Sequence, residues 1–319
     1  MDKEMQWWWP LALDEALGSE PLAVRLLGQH LVLWRDAKGQ AVLMVDRCPH
    51  RGARLSQGRI RDHAIECPYH GWRFDQQGSC KIIPATPDFQ PPASFKICRY
   101  PVVEMHGLVW GGLGDATFAP PTLHDLPLRK LLYGPFDVAT SAPRAVENFL
   151  DTAHFAHIHR DSLGDSEHAK VPHYEVSHSA DGRPVIEALK AWQPKKAYAN
   201  ATGGGWMTYR YEVLSPYSAM LRKHSDDGSS LDAYVIWACP MSEDTSRLWF
   251  AQYTNDTTST DDQLRDFQVY IFSQDRAVLE AQVPKQLPIS HGELHCAADR
   301  MSVAYRRYLK QTGVHFGVC

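Results

Sequence analysis

Cysteine and histidine recur in two short clusters that could share one metal centre. The first is Cys48-Pro49-His50, and sixteen residues later comes Cys67-Pro68-Tyr69-His70. A tetrahedral zinc accepts two Cys and two His, but its usual spacing puts both Cys in one pair and both His in the other. Here each pair holds one of each. A [2Fe-2S] cluster with two thiolates on one iron and two imidazoles on the other takes this arrangement, and the imidazoles raise its potential. Gly52 and Gly71 let the loop backbones approach the cluster sulfurs, while Pro49 and Pro68 stiffen the loop tips. A zinc knuckle is the bland alternative.

A second concentration of chemistry runs from Asn148 to His159. Asp151, His154, His157 and His159 fall within nine otherwise largely apolar residues. Ionisable groups in such a setting usually pair or bind metal. Two His and one carboxylate on one face of an iron leave positions open for dioxygen. Spacing alone does not choose the His pair. His154 and His157 would share a helix face, whereas His154 and His159 need a bend or a local widening of the helix.

Both stretches resemble a known family. C-x-H-x16-C-x2-H over Cys48, His50, Cys67 and His70 is similar to the Rieske cluster motif. N-x2-D-x2-H-x4-H over Asn148, Asp151, His154 and His159 resembles the mononuclear iron motif of Rieske non-haem iron oxygenases. The resemblance implies iron ligation by His154 and His159 and leaves His157 as a packed or outer histidine. It implies a third ligand from a late helix, where Asp275 occupies the matching position, Gln274 replaces the usual acidic residue before it, and Glu280 is the rival carboxylate. Asp151 would bridge an iron-ligating His and a cluster-ligating His of the neighbouring subunit, which implies a head-to-tail homotrimer. The tail from Val303 to Cys319 is similar to that of single-subunit-type hydroxylases and demethylases.

The expected activity is therefore that of a terminal oxygenase. It would use O2 to hydroxylate or oxidatively demethylate a small cyclic organic substrate, aromatic, heteroaromatic or alkaloid-like. Dihydroxylation of a ring and plain Rieske electron transfer are the alternatives. No Gly-rich dinucleotide fingerprint is present. A ferredoxin or an NAD(P)H-dependent reductase is thus expected to supply electrons. Arg47, Arg51, Arg54, Arg59, Arg61 and Arg73 surround the cluster loops and could dock an acidic donor, or be ordinary solvated charge. Trp206, Met207, Tyr209, Tyr234, Trp237 and Phe272 are candidate pocket residues, although strand aromatics are more often plain core.

These groups need a scaffold, and the sequence predicts an α+β chain of two domains. The first, residues 1–118, reads as all-β, with hairpin turns at Asp36–Gly39 and Gln76–Gly78. An amphipathic segment is expected before Leu27, after Trp7-Trp8-Trp9-Pro10 packs the N-terminus. A proline-rich boundary at 115–130 leads to a catalytic domain, residues 119–319. There, alternating segments from Val185 to Thr254 predict an antiparallel sheet, and Val146–His159 reads as mainly helical. Thr260-Asp261-Asp262-Gln263 opens a long C-terminal helix ending near Gln282. The resemblance implies a helix-grip sheet around it. The 319 residues are 44% apolar and 22% charged with a net charge of −4, which predicts no nucleic-acid or membrane partner. Of the seven Cys, the five outside the cluster pairs are scattered, and these free thiols and the lack of a signal-like start fit the cytoplasm.

Overall fold

The structure is a computed structural model that describes residues 3–116, 123, 128–194, 203–226, 228 and 230–319. The chain divides into two compact units, Met1–Pro120 and Pro121–Cys319. Most of the proline-rich 115–130 segment lies outside the described residues. The fold is α+β, with every pairing between strands antiparallel.

The first unit is built from three small sheets. Strands β1 (Trp9–Leu13), β10 (Val102–Met105) and β11 (Leu108–Gly111) form one. Strands β2 (Leu22–Leu26), β3 (Gln29–Arg35), β4 (Ala41–Val45) and β9 (Arg99–Tyr100) form the second. The third is β5 (Arg59–Arg61), β6 (Ala64–Glu66), β7 (Arg73–Phe74) and β8 (Cys80–Ile82). The N-terminus departs from the expected amphipathic segment. Trp9 and Pro10 open a strand whose other neighbours are Leu11 and Ala12, all buried, and Leu22–Leu26 forms a second strand paired with β3. Val32, Trp34, Val42, Met44, Leu55, Ile65 and Phe74 close into one core, and Cys48 and Cys67 sit at its edge.

The second unit is a seven-stranded sheet ordered β12-β18-β17-β16-β15-β14-β13. Its strands are β12 (Arg129–Val138), β13 (Ser177–His178), β14 (Pro184–Gln193), β15 (Gly205–Ser215), β16 (Ser218–Ser225), β17 (Leu231–Pro240) and β18 (Ser246–Thr254). Helix α1 (Ala142–Leu150) packs across β16, β17 and β18, and α2 (Asp261–Ala281) packs against β12 and α1. The Thr260–Gln263 capping box closes the start of α2 with reciprocal bonds of 3.2 and 2.9 Å. The buried stripe of α2 is Leu264, Ile271, Phe272, Asp275 and Leu279, so one carboxylate stands among apolar side chains.

The segment read as helical over Val146–His159 is not one helix. Helix α1 ends at Leu150, Asp151 turns extended, and only a single 3-10 turn, Ala153–Ala156, follows. The chain thus leaves the α-helix between Asn148 and His154. A third helix unforeseen from the sequence, α3 (Arg300–Thr312), follows α2 and ends on Gly313 in the left-handed conformation. It pins α1 from behind: the Arg306 guanidinium donates to both Glu147 oxygens, at 2.6 and 2.8 Å, and both residues are largely buried.

Among the described residues, no helix is long and apolar enough to cross a membrane. Removing one partner of a buried, doubly bonded ion pair strands the other charge. Arg306→Met is expected to cost about 3 kcal/mol or more and to lower the melting temperature by roughly 10 °C. A thermal shift under two degrees would show that the pair does not hold α1.

Candidate active site

The two cluster loops repeat one backbone design. Cys48 N donates to Ala53 O and Gly52 N to Cys48 O, at 2.8 and 2.9 Å. Cys67 N donates to Trp72 O and Gly71 N to Cys67 O, at 2.8 and 3.0 Å. Each loop closes through a glycine at positive φ, +74° for Gly52 and +68° for Gly71, where a side chain would be strained. The loops hold their donors in two layers. Cys48 and Cys67 are each 2% exposed, whereas His50 and His70 are exposed. The imidazole rings lie 4.6 Å apart, and His50 stacks on Trp72 at 4.4 Å, which itself stacks on Phe95. Burial pushes the Cys48 thiol up, and a positive centre would hold it as thiolate. Buried thiolates beneath exposed imidazoles fit a cluster with one inner and one outer iron.

Most of the surrounding arginines are spent within the fold. Arg59, Arg61 and Arg73 converge on Glu66, at 2.6, 3.7 and 2.7 Å, and Arg54 pairs with Asp46 at 3.6 Å. Four of the six thus brace the loops, although Arg59 and Arg61 remain 62% and 52% exposed.

In the second unit, three donors from two elements meet. His154 Nε2 lies 3.4 Å from Asp275 Oδ1, and His159 Nε2 lies 3.1 Å from the same oxygen. One ligand atom from each falls within 4.8 Å of the others. Octahedral metal ligands at about 2.1 Å from the ion stand about 3.0 Å apart, so the spacing suits a small cation. The far nitrogen of each imidazole is held as well. His154 Nδ1 pairs with Asp151 Oδ2 at 2.9 Å, and His159 Nδ1 with Gln274 Oε1 at 2.8 Å. Such partners fix which nitrogen faces the metal. Asn148 Nδ2 donates to Asp275 Oδ1 at 3.4 Å.

The other candidates lie elsewhere. His157 is exposed rather than packed against the site. Glu280 accepts from Arg276 at 2.9 Å and from the Ala139 amide at 3.2 Å. The five-residue gap between His154 and His159 is accommodated by the 3-10 turn, with Ile158 N bonded back to His154 O. Gln274, noted in the sequence only as a departure, is the orienting acceptor for His159.

Charge compensation at this site is strong. Burial alone would raise Asp275, but hydrogen bonds from His154 and His159 bring it to about 2. Burial alone would lower His154, yet Asp151 and Asp275 raise it to about 9. The trio opens into a cavity of about 830 Å³, counting its mouth. Phe149, Phe155, Phe250 and Phe272 supply aromatic wall, and Tyr209 and Tyr234 also line it. Of the other candidate pocket residues, Met207 and Trp237 are buried outside this lining, and Trp206 faces a separate hollow with His168 and Trp192.

Comparison with known proteins agrees with this architecture. Residues 7–101 match the family model of the Rieske [2Fe-2S] domain, and residues 138–314 match that of the vanillate O-demethylase oxygenase C-terminal domain. The chain is a Rieske non-haem iron oxygenase. It is 32% identical over 298 residues to methylxanthine N1-demethylase NdmA of Pseudomonas putida, covering 91% of this chain and 82% of that protein. The solved structure of Pseudomonas putida CBB5 NdmA with caffeine superposes with a TM-score of 0.83 at 28% identity, covering 97% of this chain and 91% of that one. A further match, 37% identical over 120 residues, is to oxidoreductase NdmD of Pseudomonas putida, covering 37% of this chain and 20% of that protein. The cofactors of this oxygenase are a Rieske [2Fe-2S] cluster and a mononuclear iron. As a terminal oxygenase it uses O2 and electrons from a reductase or ferredoxin.

The raised His154 carries a pH signature. Its proton stabilises the iron-free fold fully below about pH 6.5, and that contribution is lost as pH rises through 9. Fe(II) must displace the same proton, so its affinity is expected to rise about tenfold per pH unit below 9 and then level off. Anaerobic Fe(II) titration of iron-free protein across this range checks it, and a flat affinity would contradict it.

Proposed function

We propose that this oxygenase oxidatively demethylates a small N-methylated heteroaromatic ring, and that His154, His159 and Asp275 hold its mononuclear iron. The observation that carries the reading is the meeting of those three side chains at the wall of an aromatic cavity. Likeness to a methylxanthine demethylase supports the choice of demethylation over ring dihydroxylation.

When bound, the iron supplies activation of dioxygen, which neither imidazole nor carboxylate can provide. The protein's own residues do the rest. Asp151 and Gln274 each accept a hydrogen bond from the far nitrogen of an imidazole, so both Nε2 atoms would be free to hold the iron. Phe149, Phe250 and Phe272 give a planar ring an apolar seat and keep water from the methyl group. The overall reaction is N–CH3 + O2 + 2 e− + 2 H+ giving N–H, formaldehyde and water. Oxygen enters the methyl C–H bond, and the resulting N–CH2OH group breaks at its C–N bond to release formaldehyde.

Cys48, His50, Cys67 and His70 hold the cluster that delivers the electrons. A ferredoxin or NAD(P)H-dependent reductase reloads it. In a head-to-tail homotrimer, Asp151 joins His154 of one subunit to a cluster-ligating His of the next. Its side chain is 28% exposed while bonded to His154, which leaves it accessible for that role. Exposed free Cys98, Cys296 and Cys319 fit a cytoplasmic setting.

The test is Asp151→Ala with a surrogate reductase, scored by oxygen uptake and formaldehyde. Turnover is expected to fall about 100-fold or more, while iron content remains that of cluster plus one mononuclear ion. Undiminished turnover would remove the bridging role. A wild-type product retaining its methyl group and gaining two ring hydroxyls would overturn demethylation.

A further inference from the structure

The cavity has one polar end that neither iron ligation nor aromatic stacking uses. The register of the sheet creates it. Tyr209 of β15 stands opposite Lys223 of β16, which stands opposite Asp232 of β17. Residues opposite each other across antiparallel strands share a face. Lys223 and Gln193 both line the cavity, yet they are only 4% and 0% exposed.

Both carry unspent polarity. Gln193 Nε2 donates to Tyr209 Oη at 2.5 Å, but its Oε1 has no partner among the described residues. Lys223 Nζ has its nearest charge partner, Asp232 Oδ2, at 3.9 Å, beyond hydrogen-bonding distance. It lies 5.3 Å from the centre of the Tyr234 ring. A buried ammonium with donors to spare is costly unless an acceptor meets it. Burial lowers Lys223 and raises Asp232, each opposed by the other's charge. Charged or neutral together, the pair adds no net charge to the wall.

Resting on the oxygenase reading above, we infer that Lys223 is a specificity-determining residue that donates a hydrogen bond to an exocyclic carbonyl oxygen of an uncharged ring substrate. The aromatic residues hold the faces of that ring, and Lys223 fixes its rotation. A carboxylate fits the same place poorly. It brings a full negative charge toward Asp232 and a second acceptor toward Gln193 Oε1. A ring without oxygen leaves Lys223 unsatisfied, and a site with an unpaired buried donor discriminates strongly.

The test compares wild-type holoenzyme with Lys223→Met. The double variant Lys223→Met/Asp232→Asn removes both charges together and covers the case in which the single variant does not fold. Three carbonyl-bearing probes (caffeine, theobromine and 1,3-dimethyluracil) are set against carbonyl-free 1-methylbenzimidazole and anionic 4-methoxybenzoate. Binding is read by calorimetry and turnover by formaldehyde. At least one carbonyl probe is expected to bind wild type, and to lose about tenfold or more in affinity in either variant, as for a charged hydrogen bond. Affinity for 1-methylbenzimidazole should hold or rise, because Met leaves no buried donor unpaired against it. Equal losses on both rings, no binding of any carbonyl probe, or wild-type preference for 4-methoxybenzoate that vanishes with Lys223 would overturn the inference. Carbonyl binding that depends on Lys223 without formaldehyde would instead sink the demethylase reading and leave this one intact.

Discussion

One buried carboxylate governs the catalytic unit. Asp275 sits on the apolar stripe of α2, where an ionised group is expensive unless opposite charge meets it. His154 and His159 come to it from a different stretch of chain, and Asp151 and Gln274 hold those rings from behind. The five side chains make one continuous run, Asp151–His154–Asp275–His159–Gln274, with hydrogen bonds at the two ends and ion-pair contacts at Asp275. His154, His159 and Asp275 would hold a cation in the middle, with the outer bonds to Asp151 and Gln274 left intact. Around that run, α1 must end where it does and α2 must press Asp275 inward.

The first unit solves the opposite problem. Its donors have to be partly hidden and partly presented. The thiols are submerged at the edge of a core of Val, Ile, Trp and Phe, and the imidazoles are left at the surface. Two loops with matching backbone bonds and one left-handed glycine each achieve this. Glu66 gathers three arginines near those loops, so charge near the cluster serves rigidity.

Much of this was legible in the residues. The mixed Cys/His pairs indicated a cluster rather than zinc, and alternation from Val185 to Thr254 gave the sheet. The Thr260–Gln263 box marked the start of α2 because its bonds are local. The errors came where local pattern yields to tertiary demand. Asn148 to His159 has helical composition, but a continuous helix could not turn both His154 and His159 toward Asp275. Residues Leu22–Leu26 alternate weakly and become a strand by pairing with β3. The polar end of the cavity was invisible, since Gln193, Lys223 and Asp232 meet only through strand register. The role of Gln274 was hidden for the same reason: its partner His159 lies far away in sequence.

The central claim is that one iron sits among His154, His159 and Asp275. Anomalous X-ray scattering at the iron edge, on crystals of the fully loaded protein, tests it directly. The account predicts a lone iron peak about 2.1 Å from His154 Nε2, His159 Nε2 and an Asp275 oxygen, apart from the paired peaks at Cys48, His50, Cys67 and His70. A lone peak held by His157 or Glu280, or an iron-saturated crystal with no peak among the three, would contradict it.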